Sequence, residues 1–334
     1  MWILIILIIL VLILLAFSKV ILNSIFGKRC EGNPNLKYFT VDDFEGLEAK
    51  EIEFKSNKNQ ILRGYIYTNK NIEEYKGLVV FVHGMGAGHL SYTTEINTLT
   101  KNGYKVISYD NTGTCKSEGK SLNGFYQAVY DLDSCLKFVE NDEKLYKYDV
   151  SLVGHSWGAY TVCNILDYNH RIKKVVAISG PNSFTKLMES FLGVFGKILR
   201  PFISFWTFIK FGNKGLKSID TILKNVDTEV LILHGDIDKT AKLECSIAAN
   251  VNKKCKKDNI NVIIYKDKYH NVYQTRESEK YLNDVFDKIG KLPKEYKGEE
   301  LKNKQKELYG SIDYKLITEE DLDVMKDILD FLDK

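Results

Sequence analysis

Val150-Ser151-Leu152-Val153-Gly154-His155-Ser156-Trp157-Gly158-Ala159 decides how this chain of 334 residues is read. An apolar run fit for a buried strand meets Gly-x-Ser-x-Gly, and a helical pattern starts near Ala159. The pentapeptide alone recurs by chance, so its weight comes from the strand before it and the helix after it. A serine in so sharp a turn sits in strained backbone and needs glycines beside it, where a Cβ would clash. The turn lifts the Ser156 hydroxyl to the C-terminal edge of a sheet, at a helix N-terminus that favours negative charge. Ser156 is the candidate nucleophile.

Outward from this stretch the same rhythm repeats. Ile52–Lys55 and Ile61–Tyr67 read as antiparallel strands with period-2 alternation. Leu78–Val82, Val106–Tyr109, Val150–Val153, Val175–Ser179, Val230–Leu233 and Val262–Tyr265 are apolar throughout, as buried parallel strands are. Helices are expected near Thr93–Asn102, Leu122–Glu140, Ala159–Tyr168, Ala241–Asn252 and Ser278–Lys288. Strand–helix alternation of this kind predicts an α/β fold, a mostly parallel central sheet with helices on both faces. Between Pro181 and Asn225 no strand signal occurs. That insertion, rich in Phe, reads as a helical pair packed on the core or as a cap whose inner face lines an acyl pocket. The tail from about 291 to 334 is rich in Lys and Glu and reads as solvated helix.

A serine hydroxyl needs a base. Of six histidines, His270 follows the strand Val262–Tyr265 on a loop at the same sheet edge as Ser156. His155 lies inside the turn and points away from its neighbour; His83, His234, His170 and His89 are less well placed. The base needs an acid to fix its tautomer. His234-Gly235-Asp236-Ile237-Asp238 offers two: Asp238, four residues beyond the strand-terminal histidine, is better placed, and Asp236 is its rival. His83-Gly84-Met85-Gly86 after Leu78–Val82 can bring a backbone N–H beside the serine, so the N–H groups of Met85 and Trp157 are the candidate oxyanion hole. One such donor is worth about 3 kcal/mol in the transition state. His83 reads as a brace for that loop.

The ordered set HGMG, GHSWG, HGDID and the His270 loop resembles the α/β-hydrolase superfamily, and within it the monoacylglycerol lipase and S33 serine aminopeptidase group. The likeness covers about residues 50–290. It implies an α/β-hydrolase fold with a helical cap at about 181–225, Ser156 as nucleophile, Asp238 as acid, His270 as base, and Met85 and Trp157 as oxyanion donors. Asp110-Asn111-Thr112-Gly113-Thr114-Cys115-Lys116-Ser117-Glu118-Gly119 departs from the relatives' pattern, with Thr112 where Arg is usual and Cys115 where Gly is usual. That weakens any transfer of substrate. Expected is an ester hydrolase acting on acyl-glycerol or lysophospholipid esters; an S33-like aminopeptidase, an acyltransferase and a non-catalytic scaffold are the alternatives. No metal or organic cofactor is implied.

Trp2–Phe17 is unbroken apolar sequence, and a further apolar stretch, Val20–Phe26, follows Lys19. Residues 2–26 therefore read as one transmembrane anchor before a hydrolase domain at 36–334, with Lys19 snorkelling to the headgroups. A cleaved signal peptide, exporting the body, is the alternative. Lys19, Lys28 and Arg29 are the only charges in residues 1–30, which leaves 44 basic and 44 acidic residues elsewhere. The net charge of +3 is thus a collar beside the anchor, not a basic surface for nucleic acid. By the positive-inside rule the body faces the cytoplasm, and six scattered cysteines without C-x-x-C fit a reducing compartment.

Overall fold

Apolar runs form the sheet because alternate side chains reach opposite layers of helices. In β3, Gly77–Val82, the side chains of Leu78, Val80 and Val82 join one core while Val79 and Phe81 join the other. The computed structural model describes residues 1–334 apart from Ala87 and Lys256. The other strands are β1 Leu47–Lys55, β2 Ile61–Asn69, β4 Tyr104–Tyr109, β5 Val150–His155, β6 Ile172–Ile178, β7 Glu229–Gly235 and β8 Ile260–Tyr265. They pair in the order β1-β2-β4-β3-β5-β6-β7-β8, antiparallel at β1–β2 and β2–β4 and parallel from there on. Every expected strand is present. One expectation fails in part: β8 is the sheet edge, so its residues are only half covered and Ile264 is 39% exposed.

The α-helices of five or more residues are α1 Trp2–Phe26, α2 Thr93–Lys101, α3 Gln127–Glu140, α4 Trp157–Asn164, α5 Phe184–Leu192, α6 Val194–Phe211, α7 Ile219–Leu223, α8 Ile247–Lys254, α9 Arg276–Glu295, α10 Gly298–Gly310 and α11 Leu322–Asp333. Among these, α3, α4 and α8 cover one sheet face, and α2 and α11 the other. Two helices start later than their apolar patterns. Asn123 and Gly124 take positive φ ahead of α3. The Ser246 side chain accepts from Ala249 N–H and so caps α8. The tail also differs from a purely solvated one. In α11, Val324, Met325, Ile328, Phe331 and Leu332 form a buried stripe, and buried Lys174 donates to the Phe331 carbonyl at 2.8 Å. The density of acids there hid a helical apolar period.

Strand order places the loops that matter together. β3 lies between β4 and β5, so the chain reverses direction across the sheet at this point. Val82 pairs with Gly154, His155 with Ile178, Ile178 with Leu233, and His234 with Ile264. The loops after β3, β5, β7 and β8 therefore share one edge. Ser156 makes its turn at φ +57° and ψ −112°, held by its N–H donating to the Ile178 carbonyl at 2.8 Å. A Cβ on Gly158 would run into the Val82 carbonyl oxygen, and one on Gly154 into the Gly158 carbonyl. Gly290, inside α9, has open space around it. Gly158→Ala is expected to cost about 1–3 kcal/mol of stability by overpacking. Gly290→Ala should be neutral or gain about 0.5–1 kcal/mol from helix propensity. Denaturant midpoints of the two variants check this contrast.

Candidate active site

Ser156 and His270 line one cavity of about 920 Å³, together with Met85 and Trp157. The structure sets Asp238 against His270: Nδ1 lies 2.7 Å from Oδ2. A carboxylate only accepts, so Nδ1 carries the proton and Nε2 is left with a free lone pair. The other Asp238 oxygen accepts from the N–H groups of Thr240 at 2.7 Å and Ala241 at 2.9 Å. Burial opposes its charge, but the bond from His270, nearby His234 and these N–H groups hold the carboxyl below its ordinary range. The Asp236 backbone N–H donates to the Tyr265 carbonyl, and its side-chain Oδ1 is buried without a hydrogen-bond partner. Of the two carboxylates, Asp238 is the one at the histidine.

The oxyanion-loop candidate is braced from inside. His83 is fully buried; its Nδ1 meets the Gly84 carbonyl at 2.6 Å and its Nε2 accepts from Asn111 N–H at 3.1 Å. Gly84 N–H donates to the Tyr92 hydroxyl at 2.9 Å, and that hydroxyl lies 2.9 Å from His155 Nδ1. His155 Nε2 is 3.1 Å from the His270 carbonyl. A carbonyl cannot donate, so Nε2 carries the proton and Tyr92 O–H donates to Nδ1. Burial and the neighbouring His270 push the His155 pKa down to about 3, so its ring is neutral. One chain of hydrogen bonds thus joins the loop after β3 to the backbone of His270.

Three contributors, the first of them a pair of residues, have no clear mark in the sequence. Tyr92 and His155 form the relay just described. Glu279, buried at the start of α9, accepts from the backbone N–H groups of Tyr269, at 3.0 Å, and Asn271, clamping His270 between them. A third is Arg29, at the exit of α1. Its guanidinium donates to the carbonyls of Ser117, Gly119 and Cys115 at 2.9, 2.7 and 2.7 Å. Thr112, in the unusual loop, spends its N–H and hydroxyl on buried Asp131 at 2.7 and 2.8 Å. An arginine does serve that loop, but it arrives from the C-terminal end of α1.

The insertion splits by function. Leu187 and Phe191 line the cavity, while Phe184 is buried in the core, stacked on Phe125. Phe195, Phe205 and Phe208 face outward. The remaining walls include Ile25 and Lys28 of α1, Leu282 and Phe286 of α9, and Tyr314 and Ile317 before α11. Both chain ends build the cavity.

Residues 73–208 match the model of the serine aminopeptidase S33 family. No curated protein sequence matches the chain. Among solved structures, an esterase of Pyrococcus furiosus superposes with a TM-score of 0.56 at 20% identity, covering 81% of this chain and 99% of that one. Acetyl xylan esterase 1 of Thermoanaerobacterium gives 0.53 at 17% identity, covering 75% and 84%. The acylaminoacyl peptidase of Pyrococcus horikoshii gives 0.53 at 16% identity, covering 73% of this chain and 42% of that one. These likenesses show the fold, and the family match spans the serine turn itself. The chain shares the α/β-hydrolase fold of these enzymes, and its residues 73–208, the serine turn included, are similar to the serine aminopeptidase S33 family.

Proposed function

We propose that the protein hydrolyses carboxylic esters of membrane amphiphiles, of the acyl-glycerol or lysophospholipid type, while anchored by α1. The observation that carries this reading is the cavity lining. No Asp or Glu stands among the described residues around it; Leu187, Phe191, Leu282, Phe286 and Ile317 supply apolar wall, and Lys28 supplies a cation, while Arg29 and Lys37 are paired with Glu31 and Asp43. An acyl chain fits such walls, and Lys28 suits a polar or anionic headgroup. An aminopeptidase needs a carboxylate for the free amine of its substrate, and the lining offers none. The esterase names among the structural neighbours run the same way.

In this reading Ser156 Oγ attacks the ester carbonyl and passes its proton to His270 Nε2. Asp238 keeps the other ring nitrogen protonated and stabilises the imidazolium. Developing charge on the carbonyl oxygen is taken by the N–H groups of Met85 and Trp157. His270 returns the proton to the leaving alcohol, and an acyl group remains on Ser156. Water, activated by the same histidine, then releases the acid and restores the serine. The relay from Gly84 through Tyr92 and His155 holds donors and base at a fixed separation.

A fluorophosphonate probe should label Ser156, and Ser156→Ala should abolish both labelling and esterase activity; labelling that persists contradicts the assignment. Asp238→Asn is expected to lower kcat about ten-thousandfold and Asp236→Asn less than about tenfold. A reversed ranking would make Asp236 the acid.

The pH dependence has a definite form. Asp238, held below its usual range, stays ionised across the acid limb, and His155, near 3, stays neutral. Neither adds a second ionisation to the acid limb. Log kcat/KM should drop with a slope of one, and a slope of two would bring in a second group.

A further inference from the structure

The helix α1 is apolar on every side, yet it does not stand free of the body along its length. Trp2 to Ile13 are all at least 40% exposed, whereas Ser18 and Phe26 are buried. Trp206 of α6 donates its indole N–H to the Leu15 carbonyl at 3.0 Å, and the Lys19 ammonium sits 4.6 Å over the Trp206 ring. The Phe26 ring packs on Phe184 and Phe125. Twelve free residues rise only about 18 Å, against a hydrocarbon core of about 30 Å. If α1 spans a bilayer, the missing depth has to come from the part of α1 that carries α6 with it.

The surface of α6 agrees with that depth. Gly196, Leu199, Ile203 and Thr207 face inward and are buried. The opposite side is apolar too: Phe195 is 72% exposed and Val194 78%, and Ile198, Phe205, Phe208 and Ile209 are exposed with them. A helix apolar on both sides belongs in a core or in lipid, and this one is not enclosed. Its charges have one sign. Between Ser190 and Ile219 the sequence carries Lys197, Arg200, Lys210, Lys214 and Lys217 and no acid; Arg200 and Lys217 pair with Glu189 and Asp167, and the other three suit an anionic lipid surface. Trp206 with Lys19 over its face is the aromatic–cation pairing typical of the interface.

We propose that α6 is a second membrane element, lying in the leaflet that the C-terminal part of α1 crosses, with its outer face in the acyl region. This rests on the reading of α1 as an anchor. Cap and anchor then enter the bilayer as one body, and Ile25, Lys28 and Phe191 put the cavity wall at its surface. Substrate reaches the serine from the lipid, without crossing water.

Nitroxide labels on single cysteines test this in the full-length chain, with Cys30 and Cys115 replaced by serine. The protein is reconstituted in vesicles of phosphatidylcholine with phosphatidylglycerol. Labels replacing Phe195 and Phe205 are expected to meet oxygen more than a water-soluble nickel complex, as a label replacing Ile8 in α1 does. A label replacing exposed Lys302 should show the reverse. Water-like labels on α6 with a lipid-like label at position 8 overturn the proposal and leave the anchor standing. A water-like label at position 8 overturns the anchor reading and the proposal with it. Labels on α6 shielded from both reagents, as contact with a second protein copy would give, also overturn it. Independently, the F195D/F205D pair is expected to lower the rate on a vesicle-embedded ester about tenfold relative to a soluble short-chain ester. An unchanged ratio contradicts the proposal.

Discussion

A single residue of left-handed backbone between two crowded glycines organises this molecule. Ser156 can hold φ +57° only because β5 and α4 close on β3 so tightly that Gly154 and Gly158 have no room for a Cβ. The strain is borne by the packed sheet: Ile178 accepts the serine N–H, and Val82 lies across from Gly154. The same closeness puts the loop after β3 beside the serine and the loops after β7 and β8 within reach. Every element of the proposed chemistry depends on that turn.

Strands were legible because apolar runs bounded by turn residues leave few other structures open to them. The site was legible where one residue type at one sheet edge has few rivals, as with Ser156 and His270. The choice between Asp236 and Asp238 needed the path of the loop, since two residues along a turn can point in unrelated directions. Tyr92, His155 and Glu279 act through contacts between elements distant in sequence, and no local pattern marks them. Arg29 illustrates the same limit: it serves a loop almost ninety residues away. The cavity walls from Ile25, Tyr314 and Ile317 could be seen only once both chain ends had been traced back to the sheet.

The collar of charge beside α1 takes on a wider meaning in the folded chain. Lys19 does not simply extend toward headgroups; it covers Trp206 of α6. Five of the seven cations of the cap insertion lie between Ser190 and Ile219, a segment without acids, so the basic excess next to α1 is larger than residues 1–30 show. The remaining chain is correspondingly acidic. Charge is sorted between the part proposed to meet lipid and the part that faces water.

In the proposed reaction an acyl group from the ester passes through Ser156. Rapid-quench intact-mass measurement with a long-chain p-nitrophenyl ester reads that step without intermediaries. A species heavier by the acyl group is expected, formed within one turnover and mapped to the peptide containing Ser156. Release of nitrophenol with the adduct on another residue, or with no covalent species under conditions that trap one, would contradict it.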